Sequence, residues 1–299
     1  MKAENKLAAK TKSVDRIIAP PPSHWVGDGF KVHGFFPNQY LSAQRMSPFY
    51  LLDYNAKINF PPSTNLLGVG AHPHRGFETV TIAYKGKVQH HDSTGGGGII
   101  GEGDVQWMTA GSGLLHKEYH EEEFNREGGL FQMVQLWVNL PAKDKMTKPQ
   151  YQAITNDQMG RYELPEGKGT VEVIAGEFNG VKGAATTFSP VHLYNLKLQK
   201  GASVKLNFSE NDTTALLMIE GEAKINQTEI APTDNFVLFK RDGEEIFVEA
   251  TDDSVILVMS GKPLDEPIAA YGPFLMNTQE EIEQAFEDFQ TGKFGYLAD

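Results

Sequence analysis

Apolar and polar residues alternate with a period of two along most of this chain, in runs too short for helices. Val80, Ile82 and Tyr84 occupy every second position between more polar neighbours, as in a half-buried strand. Residues 105–108 and 130–138 are more continuously apolar and predict deeper strands. A second series is predicted at residues 191–198, 203–208, 215–219, 235–239, 246–248 and 255–259. Spacings of about 8–12 residues, punctuated by glycine and proline, point to a sandwich or barrel.

The polar stretch 156–168 divides the two series and is the predicted domain boundary. A weak repeat crosses it. YKGKV at 84–88 is echoed by IEGEA at 219–223, and IIGEGDVQW at 99–107 by EIAPTDNFV at 229–237. Two similar barrels account for the echo. The chain closes with a helical period: Thr278 and Glu281 have capping-box spacing, Ile282, Ala285, Phe286 and Phe289 form an apolar face, and Gly292 is the stop. Before it, EPIAAYGPF carries Pro267 and Pro273 and reads as an extended strap between domains. The expected organisation is a mobile tail at 1–12, a first barrel at 13–155, a second at 156–262, and strap plus helix at 263–299.

Composition narrows the chemistry. The 299 residues are enough for two ordinary domains. A formal charge of −12 and a pI near 5.2 disfavour direct binding to nucleic acid or an anionic membrane. The absence of cysteine excludes disulfides, thiolate ligands and a cysteine nucleophile, and fits a cytoplasmic protein. No segment approaches the roughly 20 apolar residues needed to span a bilayer.

Histidine is unevenly distributed. Six of the nine histidines lie between His72 and His120, whereas the second series holds only His192, so a metal is expected in the first barrel alone. His72 and His74 form one i, i+2 pair, and His116 and Glu118 another. In a strand such pairs share a face about 6.6 Å apart. Two strands brought together would present three imidazoles and one carboxylate, a set suited to non-haem iron or a neighbouring divalent metal. Glu78 competes with Glu118 for the fourth place, but in strict extension it lies about 13 Å from His74; it is expected to pair with Arg75 or to accept from a ligand histidine. His90 and His91 face opposite ways, so at most one looks inward, towards the barrel entrance. His120 continues the alternation towards the pocket mouth. The glycines at 95–98 lack the lysine and hydroxyl of a phosphate loop and read as a flexible hairpin. Residues 121–123 read as a solvated acidic turn, and Trp107 and Met108 as core.

The strings HPHRGFETVTIAYKG, HDS at 91–93, GDVQWMTAGSGLLHKE, LWVNLPAKDKM and EPIAAYGPF resemble the pirin family of the cupin superfamily. The resemblance runs from PPPSHWVGDGF to the last helix. It implies an all-β bicupin, two facing antiparallel jelly-roll barrels with a short C-terminal helix. It also implies one divalent ion in the first barrel, Fe(II) foremost, with nickel, cobalt, manganese, copper or zinc compatible. The pirin pattern places the ligands at His72, His74, His116 and Glu118. The general cupin pattern fits less well: Leu66 stands where it expects a glycine, and its second motif needs two extra residues before His116. The implied activity is dioxygenase cleavage of a flavonol such as quercetin with O2, releasing carbon monoxide, with Glu118 as general base. The alternative is a non-enzymatic, iron-binding redox regulator acting through protein partners; a third reading is an oxygenase acting on another phenolic or enolic substrate.

Overall fold

The computed structural model describes residues 10–298. Strands dominate, as the period-two pattern predicts, and they assemble into two compact units. The first comprises Pro20–Gly160, Gly183–Pro190 and the chain from Leu264 onward; the second comprises residues 10–19, Arg161–Lys182 and Val191–Pro263.

Each unit is built from one seven-stranded and one four-stranded antiparallel sheet. In the first, the larger sheet runs in the order Gln150–Ile154, Val105–Thr109, Phe77–Lys85, Gly129–Asn139, Phe49–Phe60, Phe30–Phe36 and His24–Val26. Its four-stranded sheet runs Gly68–His74, Leu114–His120, Val88–Asp92 and Gly97–Ile100. In the second unit the larger sheet runs Val14–Ile18, Phe236–Phe239, Thr213–Glu220, Ser254–Gly261, Val191–Leu198, Gly169–Ala175 and Gly160–Glu163, and the smaller runs Ser203–Asn207, Glu245–Ala250, Ala223–Ile225 and Glu229–Ala231. Both echoed segments fall at matching places in the two sheets, so the repeat reflects a duplicated topology. The fold is the all-β two-barrel architecture of a bicupin.

Histidine-bearing strands in the first unit correspond to apolar ones in the second. There Val204, Leu206, Ile246 and Val248 point into one buried cluster with Val237 and Ile256. That interior is filled by close-packed hydrocarbon.

The chain ends do not divide at the polar boundary. Residues 14–18, expected to open the first barrel, pair instead with Phe236–Phe239 as the edge of the second unit's large sheet. Of the expected tail, residues 1–9 lie outside the described residues, whereas Lys12 is fully buried and its ammonium donates to the Glu210 carbonyl at 3.0 Å. Satisfying that ammonium requires an ordered backbone. The expected interdomain strap is a hairpin of Ala269–Tyr271 with Phe274–Met276 inside the first unit, followed by the helix Gln279–Gln290. Thr278 and Glu281 form the capping box, and Ile282 and Ala285 are buried. Phe289 is 38% exposed, and Asp288 is buried on this helix instead.

Glu122 and Glu123 are solvent-exposed as expected, but residues 121–123 open a short helix and not a turn. The Glu121 carboxylate accepts from the amides of Glu123 and Phe124, capping the short helix Glu122–Glu127. Acidic side chains there complement the helix dipole.

Among the described residues, no helix is long and apolar enough to cross a membrane.

Candidate metal centre

Strands Gly68–His74 and Leu114–His120 run antiparallel with His116 directly opposite His72. Register then slips, so Glu118 faces Val69; the bulge lies between the two ligand candidates of one strand. The result gathers three imidazoles. Ring centroids are 4.2 Å apart for His72 and His116, 4.6 Å for His74 and His116, and 4.9 Å for His72 and His74. One nitrogen from each lies within 4.8 Å of the others.

The second nitrogens show which atoms face the centre. His72 Nδ1 lies 2.8 Å from the Gly70 carbonyl, and His74 Nδ1 lies 3.3 Å from the Pro273 carbonyl. A carbonyl only accepts, so both Nδ1 atoms carry the proton and both Nε2 atoms present lone pairs. His116 Nδ1 lies 3.1 Å from His90 Nε2, and His116 Nε2 is buried without a hydrogen-bond partner. Burial, with the neighbouring imidazoles, holds His74 and His116 well below the usual histidine range, so both are neutral. Three imidazoles with convergent nitrogens fit a divalent first-row metal.

Glu118 is buried and shares the cavity lining with His72 and His74, but it is not one of the donors that lie within 4.8 Å of one another. Its Oε2 accepts from Gln135 Nε2 at 2.9 Å, and its Oε1 is approached by Thr81 Oγ1 at 3.4 Å and Gln106 Nε2 at 3.5 Å. Burial raises its pKa, opposed by His72 and these donors. A cavity of about 260 Å3 opens onto His72, His74 and Glu118, walled by Val26, Val32, Val69, Met133 and Trp137.

Glu78 does neither of the things expected of it. It is buried and accepts from Thr109 Oγ1 at 2.7 Å, and burial pushes its pKa up to about 7. Arg75 bonds Asp288 and the Ser112 carbonyl instead. His120 is a core residue, donating Nε2 to the Gly29 carbonyl and packed against Phe60 and Phe131. His91 is exposed. His90 is fully buried behind His116 and does not line the cavity. Trp107 and Met108 are core.

Several site residues escaped the sequence reading. Gln135, which orients Glu118, and Asp53, opposite it in the sheet, both line the cavity. Burial raises Asp53 to about 6. Each was signalled weakly, as a polar residue inside an apolar strand. Pro273 and Gly272, which close the cavity from the C-terminal hairpin, had no local signal.

Comparison with known proteins agrees with this geometry. The profile described as Pirin matches residues 29–138, and that of the Pirin C-terminal cupin domain matches 193–295. A Pseudomonas aeruginosa protein provisionally named quercetin 2,3-dioxygenase is 49% identical over 95% of this chain and 98% of its own. Pirin-1 of Arabidopsis thaliana is 37% identical over 86% of each chain. The crystal structure of quercetin 2,3-dioxygenase from Acinetobacter baumannii superposes with a TM-score of 0.90 at 49% identity, over 97% of this chain and all of that one. A pirin from Escherichia coli in complex with nickel(II) shares the fold, with a TM-score of 0.63 at 19% identity over 83% of this chain and all of that one. With both halves matched in sequence and nearly the whole chain matched in structure, this chain belongs to the pirin family.

Proposed function

We propose that this protein is a metal-dependent dioxygenase acting on a flat phenolic substrate, a flavonol such as quercetin, with O2 as co-substrate. The observation that carries the reading is the open, largely apolar cavity lined by His72 and His74 of the three-imidazole cluster and by Glu118. A purely regulatory iron site needs no such space. The names of the Pseudomonas aeruginosa and Acinetobacter baumannii proteins point the same way, whereas the Arabidopsis thaliana and Escherichia coli proteins are named as pirins.

In this reading His72, His74 and His116 hold the metal through Nε2, with Glu118 as the fourth ligand. Iron(II) is the first choice. When bound, the metal supplies Lewis acidity towards a phenolic hydroxyl and redox activity towards dioxygen. Glu118 takes the hydroxyl proton: it is a carboxylate that lines the cavity with His72 and His74. Gln135 holds Oε2 and so sets the direction in which the carboxylate reaches. Trp137, Met133 and the three valines exclude water and offer flat apolar walls to an aromatic ring. At about 260 Å3 the cavity is just below the usual range for small-molecule sites, roughly 300–1,000 Å3, so the reacting ring of a flavonol would enter with its remainder towards the mouth.

The test is oxygen-dependent loss of the quercetin absorption band with carbon monoxide detected, using protein reconstituted anaerobically with Fe(II) and a His116→Ala control. Turnover by the wild type alone supports the proposal. Stoichiometric metal without turnover would overturn the activity and favour the iron-dependent regulator.

A further inference from the structure

His90 is fully buried, unlike its neighbour His91, and its Nε2 lies 3.1 Å from Nδ1 of His116. For His116 to offer a bare Nε2 to the cluster, its Nδ1 must carry the proton and donate it. His90 Nε2 is then the acceptor, and the proton of His90 sits on Nδ1, a buried atom that makes no hydrogen bond. Asp92 lies two residues on along the same strand, hence on the same face, with Oδ2 buried and free of hydrogen bonds.

His90 is clamped. Its ring stacks on Tyr151 at 5.2 Å between centroids with planes only 6° apart. Asp92 Oδ1 accepts from the Thr94 amide, the Thr94 hydroxyl and the Gly96 amide. The glycine tract at 95–98 closes over this group. A Cβ on Gly96 would stand 2.2 Å from Asp92 Oδ2 and 2.9 Å from Tyr151 Cβ, and one on Gly97 would stand 2.5 Å from the His90 carbonyl oxygen. Two of the four glycines are therefore required by close packing.

We propose that His90 is a positioning residue for the metal centre, accepting the Nδ1 proton of His116 and so fixing the tautomer and ring direction in which His116 binds metal, with Tyr151 and the glycine tract holding His90 in place. His72 and His74 are oriented by backbone carbonyls, whereas His116 is oriented by a side chain. The inference rests on the metal-binding reading under Proposed function and not on any substrate. Outer hydrogen-bond partners of this kind contribute about 10–100-fold to metal affinity.

The test measures binding of cobalt(II) and zinc(II) alone, by competition with a chromophoric chelator, to the wild type, His90→Leu and His90→Gln, with the cobalt absorption bands and the unfolding temperature of the metal-free forms recorded. Leucine removes the acceptor at similar volume; the glutamine carbonyl can restore it. The expected result is affinity about 10–100-fold weaker for His90→Leu with shifted cobalt bands, and recovery to within about threefold for His90→Gln. Unchanged affinity and bands in a folded His90→Leu, or equal losses in both variants, would overturn the inference. Should His90→Leu fail to fold, imidazole 15N shifts of the metal-free wild type decide: a proton on Nδ1 of His116 supports the inference and a proton on Nε2 overturns it. A wild type that binds no metal would overturn this inference and the proposed function together, whereas normal metal binding without quercetin turnover would remove only the latter.

Discussion

The Pro273 carbonyl accepts the Nδ1 proton of His74 across 3.3 Å, joining residues 199 positions apart. One turn of the C-terminal hairpin thus sets the direction of an imidazole in the candidate metal centre. The same hairpin is pinned next door, where the Leu275 amide donates to the Arg75 carbonyl and Lys145 Nζ bonds the Leu275 and Gly76 carbonyls.

Arg75 and Asp288 form the buried ion pair that docks the last helix, at 2.8 Å. Asp288→Asn would leave the Arg75 guanidinium buried and short of its counter-charge, at a cost of about 3 kcal/mol. The expected outcome is a lower unfolding temperature together with faster loss of metal to a chelator, because the helix anchors the segment that orients His74. Unchanged metal retention in the destabilised variant would separate the helix from the site.

Acid should reproduce part of that effect. Hydrogen bonds from Lys293 and Arg75 hold the Asp288 carboxyl at about 2, against an ordinary 3.8. Its folded pKa is depressed, so its stabilisation is complete above pH 3.8 and is lost as pH falls from there to about 2. Thermal unfolding followed between pH 5 and pH 2 should fall more steeply for the wild type than for Asp288→Asn; parallel curves would show that the pair is not linked to folding.

Lys145 is fully buried and donates to the carbonyls of Gly76 and Leu275 and to Asn139 Oδ1 at 2.7–2.9 Å. Lys145→Met keeps the length but strands three acceptors, at about 1–3 kcal/mol each. Chemical denaturation should show a loss of several kcal/mol; a loss below about 1 kcal/mol would mean the acceptors find other donors.

The glycine tract predicts a contrast within four residues. Gly96→Ala would drive a methyl into Asp92 and Tyr151 and should cost about 1–3 kcal/mol. Gly95 has open space around its Cβ position and φ of +88, so Gly95→Asn, a residue that tolerates this conformation, should cost less than Gly96→Ala. Equal unfolding temperatures for the two variants would contradict the packing argument.

Cavity and metal should separate experimentally. Val26→Trp narrows the cavity without touching a ligand candidate, so it should reduce kcat/KM for quercetin roughly tenfold or more while metal content stays stoichiometric. Glu118→Gln should abolish turnover more thoroughly than it removes metal. Equal, partial losses of both in Glu118→Gln would reduce Glu118 to a structural role.

The sequence by itself determined the strands, the duplicated topology, the capped helix and the pairs His72/His74 and His116/Glu118. Each depends on interactions between residues close along the chain: side chains two apart in a strand share a face, and a capping box closes over three residues. Tertiary structure alone decided the partners. That Arg75 pairs with Asp288 and not Glu78, that Pro273 orients His74, that His90 backs His116 while His120 joins a phenylalanine core, and that residues 14–18 complete the second unit all depend on strand register and on contacts tens to hundreds of residues apart. A polar residue in a strand carries the same local pattern whether it faces a metal, a carbonyl or a phenyl ring; only closure of the barrel distinguishes these surroundings.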